Sequence, residues 1–149
     1  MSPRDLAAGI GPPMFSSLEI AYLRSKRLAR LATVSPAMQA DVSPAVFELG
    51  DDALYAGGFE LPRTPGFENV RRGRTKVALV VDDFESVDPW KPRGIKVHGH
   101  ASIVERSTPQ GARQVLRIVP TRVWSWGIES PTLDVGRATP ATSRPSARG

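Results

Sequence analysis

The chain has no cysteine, two histidines and only four lysines (Lys26, Lys76, Lys91, Lys96) in 149 residues. Without cysteine there is no disulfide framework, no thiolate metal site and no cysteine nucleophile. Long apolar runs are also missing. Residues 77–81 form one of the longest, far short of the ~18 residues that cross a bilayer. The start lacks the basic, apolar, small-residue order of an export leader, so a cytoplasmic location with no membrane partner is expected. No phosphate-binding Walker loop, no dinucleotide GxGxxG, no HExxH and no GxSxG occurs, which removes the chemistries those motifs carry.

What is present fits one soluble globular domain, with 40% hydrophobic and 23% charged residues. The formal charge is +5, and sixteen of the twenty basic residues are arginine. Three of these (Arg137, Arg144, Arg148) lie in an acid-free tail, and without them the balance falls to +2. So small an excess, with no recognition motif, gives no reason to expect a nucleic-acid partner. Residues 1–13 read as a flexible leader, 14–135 as the folded domain and 136–149 as a disordered Arg/Pro/Ser-rich tail.

Ser16 and Glu19 form a capping box that opens a short helix to about Lys26, with Leu18 and Tyr22 or Leu23 as its apolar stripe. From Leu28 the pattern turns to strands. One ends at Ser35-Pro36. A second covers 41–49, where Pro44 suggests an edge or bulge. A third, short one covers 53–56. Residues 67–72 suit one or two helical turns closed by Gly73. Residues 76–83 are apolar on both faces and read as a central, buried strand. In 93–105 the alternation is clean, with Ile95, Val97, Gly99, Ala101 and Ile103 on one face and Lys96, His98, His100 and Ser102 on the other. A short helix is expected near 109–113 and one or two strands in 116–128. The sum is mainly β, a barrel or α+β architecture.

Four groups of residues carry candidate chemistry. His98 and His100 share a strand face and are either two of three metal ligands or simply exposed imidazoles. Asp82, Asp83, Glu85 and Asp88 could serve acid–base work or hold a cation, or mark a strand entering a polar loop. Arg63, Arg71, Arg72 and Arg74 surround a short helix and form the best candidate anion site, the alternative being a solvated basic face. Trp124 and Trp126, on one strand face, suit a planar ring or core or dimer packing, and Trp90 completes the set.

The order FSSLEIAYLRSKRLARLATVSP, DVSPAVFE, Thr64 to Val70, KVALVVDDFESVDPWKPRGIKVHGHASIVE and PTRVWSWGIE resembles the pyridoxamine 5′-phosphate oxidase-like superfamily. Within it, the sequence is most similar to the actinobacterial branch of deazaflavin (coenzyme F420)-dependent oxidoreductases. The resemblance spans about residues 14–130. It implies a split β-barrel of the flavin-reductase, FMN-binding type with short peripheral helices, acting as a homodimer with cofactor sites at the interface. The ring would lie on Ala32, Thr33, Val34, Ser43 and Pro44, with Trp126 approaching. The phosphate would be held through Arg63, Thr64, Gly66, Asn69 and Arg72.

One departure stands out. Relatives carry Lys at one or both positions held here by Pro65 and Gly66. Losing a cation that contacts a phosphate costs ~1–3 kcal/mol of binding. The leading expectation is an oxidoreductase that moves a hydride from reduced deazaflavin to a conjugated small molecule. A second is an FMN-dependent oxidase or flavin reductase. A third, of another class, is a non-catalytic dimeric cofactor- or tetrapyrrole-binding protein with a cofactor site relaxed at Pro65-Gly66, a replacement that also leaves open that no cofactor is bound. No catalytic proton donor stands out.

Overall fold

A computed structural model describes residues 3–6, 14–58 and 60–128. Seven strands and two short helices follow in the order β1 (Arg4–Asp5), α1 (Ser17–Arg24), β2 (Leu28–Val34), β3 (Ala40–Leu49), β4 (Leu54–Gly57), α2 (Pro65–Arg71), β5 (Lys76–Ser86), β6 (Lys91–Thr108) and β7 (Gly111–Trp126), with a single 3-10 turn at Leu61–Arg63 before α2. Six strands close in the cyclic order β7-β4-β3-β2-β5-β6 through the long antiparallel β6–β7 pairing. The result is a closed six-stranded barrel with short peripheral helices, a split β-barrel, as the resemblance implies.

Period-2 alternation decides what enters the barrel. Ala29 and Leu31 of β2, Ala45 and Phe47 of β3, Val77, Leu79 and Val81 of β5, Ile95 and Val97 of β6, and Leu116, Ile118 and Val123 of β7 are all buried. The helices cover opposite ends. From α1, Tyr22 and Leu23 are buried, and Tyr22 reaches Asp83 late in β5. From α2, Phe67 is fully buried and Asn69 reaches Thr33, at the other end of the same barrel wall.

Both caps of the Ser16–Glu19 box are formed, at 3.2 and 2.9 Å. Several expectations change. Leu18 is 45% exposed, because the helix turns Tyr22, Leu23 and the carboxylate of Glu19 inward instead. Glu19 is accommodated there because Arg4 pairs with it. Arg4–Asp5, inside the segment expected to be a leader, hydrogen-bond as a strand to Val123 and Arg122 of β7. Pro44 keeps unbroken register opposite Arg30, so there is no bulge. β4 pairs only with Val46 to Leu49, which leaves the other edge of β3 open at Pro44. β5 is buried on one face only, Ala78 and Val80 being half-exposed. Near 109–113 there is no helix. Thr108 pairs directly with Gly111, so a tight turn joins β6 to a single 16-residue β7. Gly111 supplies the positive φ of +108° that this turn requires. The tail expected at 136–149 lies outside the described residues.

Candidate functional site

The residues singled out from the sequence divide between the two faces of the barrel wall. On β2 and β3, Thr33 and Ser43 sit on the core-facing side, where the alternation runs Ala29, Leu31, Thr33 and Ser43, Ala45, Phe47. Thr33 accepts a 3.0 Å hydrogen bond from Asn69 Nδ2, and Ser43 donates to Asp41 at 3.4 Å. Gly66, in the first turn of α2, packs onto the same spot. A Cβ there would lie 3.3 Å from Thr33 Oγ1 and 3.5 Å from Asp41 Oδ2. Thr33, Ser43, Gly66 and Asn69 are therefore brought together as the joint between α2 and the barrel.

The absence of lysine at position 66 now has a local reason. A side chain at position 66 would press on Thr33, which would have to give by a few tenths of an ångström to admit it. Pro65, at the first helical position, has a fixed φ that suits helix initiation. Thr64 caps the helix, accepting from Phe67 N at 3.3 Å while donating to Leu61 O at 2.7 Å. Its hydroxyl is already engaged at both ends.

The arginines of this region have different partners. Arg63 is exposed and lies 3.8 Å from Glu60. Arg71 pairs with Glu68 and stacks on the Phe67 ring. Arg74 donates to Pro36 O at 3.1 Å, and Arg72 lies exposed at the end of α2. Of the four arginines expected to form an anion site, two therefore make ion pairs with nearby glutamates, one bonds a main-chain carbonyl and Arg72 makes no ion pair among the described residues.

On the outer face the picture differs. Ala32, Val34 and Pro44 point outward, as do Ala78 and Val80 of β5, Lys96, His98 and His100 of β6, and Arg122 and Trp124 of β7. The register aligns Ala32 with Ala78, Ala78 with His98, and His98 with Arg122, while Lys76 pairs with His100. Here a groove of about 560 Å³ opens, lined by Asp5, Ala32, Thr33, Lys76, Ala78, His98, His100 and Arg122 among others. Its floor includes Gly99, where β7 bulges: His98 faces Arg122 but Gly99 faces Pro120, leaving Thr121 as the extra residue. Proline is tolerated at such an interruption of the ladder.

The groove's electrostatics are one-sided. Among the described residues lining it, Asp5 is the only acid, and it is paired with Arg122 at 2.6 Å. Lys76 and His100 have no acidic partner among the described residues. His98 stacks edge-on to Trp124, with ring centroids 4.6 Å apart. Burial, followed by the charges of Lys96 and Arg122, holds the titration of His98 below the ordinary imidazole range. Sequence alone placed His98 and His100 on one face, but Lys76 and Arg122 join them only through strand register. Among the described residues no cluster of three metal-ligating side chains occurs.

Trp126 lies on this outer face too, over Gly94 and beside Asp82. It is four residues along β7 from Arg122, about 13 Å at strand rise, so within one chain it does not border the groove. A side chain at Gly94 would collide with its ring. Trp90 sits by the β5–β6 turn against Phe84, ring centroids 5.8 Å apart.

The acidic cluster resolves into separate roles. Asp82 and Asp83 point to opposite faces of β5, so they do not form a carboxylate pair. Asp83 accepts from Arg93 at 2.8 and 3.1 Å, from Lys26 at 2.5 Å and from Tyr22 at 3.0 Å. Hydrogen bonding from Arg93, then from Lys26 and Tyr22, holds its carboxyl well below the usual range. This network ties α1 to the barrel end.

Comparison with known proteins accords with the fold and the motifs. No family model matches the chain. A 5a,11a-dehydrotetracycline/5a,11a-dehydrooxytetracycline reductase of Streptomyces rimosus is 34% identical over 121 residues, covering 77% of this chain and 84% of the relative. A conserved hypothetical protein of Mycobacterium tuberculosis superposes with a TM-score of 0.60 at 23% identity, covering 77% of this chain and 86% of that one. A candidate pyridoxamine 5′-phosphate oxidase of Listeria innocua superposes with a TM-score of 0.54 at 21% identity, covering 72% and 94%. The chain belongs to the pyridoxamine 5′-phosphate oxidase-like superfamily. No helix among the described residues is long and apolar enough to cross a membrane.

Proposed function

We propose that this protein is an oxidoreductase that uses reduced deazaflavin (coenzyme F420) to transfer a hydride to a conjugated small molecule, working as a homodimer. The observation that carries the reading is the 34% identity to an enzyme whose name describes reduction of a dehydro-tetracycline, a large conjugated ring system. Geometry supports it. The outer wall offers a surface of small side chains, Ala32 and Ala78, on which a planar ring can rest, with Val34, Val42 and Pro44 extending it. The adjoining groove falls within the ~300–1,000 Å³ usual for small-molecule sites.

The fit to a phosphate-bearing cofactor is good at this wall and poorer at the expected Lys position, where Gly66 supplies no cation and borders Thr33 and Asp41 closely. When bound, the deazaflavin supplies the hydride. The protein's part is to orient the ring, cover it from water and balance charge. The proton that completes reduction comes from solvent, which reaches the groove past exposed His98, His100 and Arg122.

Dimerisation is supported by apolar side chains left outside the barrel. Leu28, Val42 and Val46 are 48, 65 and 48% exposed on adjoining strands β2 and β3, where a second copy would bury them.

Fluorescence titration of the purified protein with the deazaflavin and with FMN tests the cofactor. Saturable binding of deazaflavin, followed by its substrate-dependent oxidation with an added conjugated ketone, is the expected result. Binding of FMN alone would move the reading to an FMN oxidase or flavin reductase. Binding of neither would overturn the enzyme reading. Sedimentation should give a dimer, and Val42→Asp a monomer.

A further inference from the structure

We infer that the groove formed by Lys76, His98, His100 and Arg122 is a binding site for the polyanionic end of a ligand, a phosphate ester or polycarboxylate. It extends the reading above by assigning the charged part of the ligand to a place the sequence did not indicate. The observation is the convergence of four basic side chains from three adjacent strands on one groove. Lys76 and His100 are cross-strand partners, His98 and Arg122 likewise. Two strand spacings of about 4.8 Å and one i to i+2 step of about 6.7 Å set the dimensions of the cluster. That spread suits several anionic oxygens better than a single carboxylate.

The cluster has few acids to balance it. Directly opposed like charges on a sheet repel, so a protein normally interleaves them with acids. Here Asp5 pairs with Arg122, and among the described residues no acid pairs with Lys76 or His100. Lys96 adds a further cation on the same strand face, stacked over Trp124 at 4.3 Å. His98 thus faces Lys96 on its own strand, Arg122 across to β7 and Lys76 and His100 beside it, with Asp5 behind Arg122. An arriving anion would reverse the field at its ring.

The test uses the full chain and pyrophosphate as the probe, followed by calorimetry at low salt and by NMR of the histidine ring protons. The chain has just two histidines, so both signals are readily followed. The expected result is saturable binding that moves both ring signals and raises the titration midpoint of His98. Affinity should increase as pH falls from 8 to 5.5 and weaken with added salt. Lys76→Ala, an exposed substitution, should weaken binding about tenfold, the scale of one charge-assisted contact at a partly exposed site. The double variant Arg63→Ala/Arg72→Ala should bind as the parent does.

No saturable binding, or a loss in the Arg63/Arg72 variant with none in Lys76→Ala, would overturn the assignment. Competition identifies the source of the anion, and either result supports the site. If FMN displaces pyrophosphate and riboflavin does not, the groove takes the cofactor's phosphate. If FMN and pyrophosphate bind together, it takes an anionic substrate. Pyrophosphate binding with no affinity for FMN or deazaflavin would remove the redox reading and leave this one standing.

Discussion

Two parts of this molecule are rich in positive charge, and they are built in opposite ways. Arg63, Arg71, Arg72 and Arg74 are neighbours along the chain, whereas Lys76, His98, His100 and Arg122 come from three strands. The first group looks like a site when read in order, but Arg63 and Arg71 are paired with acids three residues away, Glu60 and Glu68, and Arg74 is held by the Pro36 carbonyl from the turn after β2. The second is invisible in order, yet it lines a groove with a single acid among its described residues. Short helices with acids three residues from arginines satisfy their own charge. A sheet surface gathers charge from distant residues, and only the register says whether an acid lies opposite.

Breaking the groove at its floor should have the largest effect. Gly99→Ala would place a methyl 2.7 Å from Val119 O and 2.9 Å from Ile118 Cγ2. The backbone at the bulge cannot yield cheaply, and we expect a loss of about 2–3 kcal/mol of stability, with pyrophosphate binding falling as well. Chemical denaturation measures the first and calorimetry the second. The matching change in the helical region, Asn69→Ala, removes the buried bond to Thr33 and leaves a void. It should cost about 1–2 kcal/mol while leaving anion affinity within a factor of two.

A smaller effect sharpens the contrast in the other direction. Asp5→Asn removes the groove's one described acid and frees Arg122, so pyrophosphate should bind a few-fold tighter. Because that pair is exposed, the denaturation midpoint should barely move. Smallest of all, Arg63→Ala should change neither stability nor binding measurably.

A separate control comes from acid. The carboxyl of Asp83 is held low in the folded protein, so its contribution is complete above the unfolded-state value near 3.9 and fades as pH falls below it. Asp83→Asn should lower stability at neutral pH and flatten the decline between about pH 5 and 2. Thermal unfolding across that range reads both.

Local features were legible in the sequence. The Ser16–Glu19 box, the start of β5 and the alternation of β6 depend on neighbours within a few residues, and each is present in the structure. The family motifs carried the barrel. What failed depended on distant partners. Leu18 lost its expected place because Arg4 lets Glu19 face inward, and Pro109-Gln110 form a turn with 111–113 in strand because β6 and β7 continue to the hairpin tip. The candidate site was half legible. Ala32 and the two histidines were marked, but Lys76 and Arg122 carried no signal until strands β5 and β7 were set against β6. Position 66 drew notice in the sequence, but its close packing against Thr33 needed coordinates.

The most direct test is a pyrophosphate titration on three proteins, the parent, Lys76→Ala/His100→Ala and Arg63→Ala/Arg72→Ala, with binding read by calorimetry. The account predicts saturable binding to the parent and to the arginine variant, and at least tenfold weaker binding to the groove variant. Equal binding by parent and groove variant, with loss in the arginine variant, would return the ligand's charge to the helical region and contradict it.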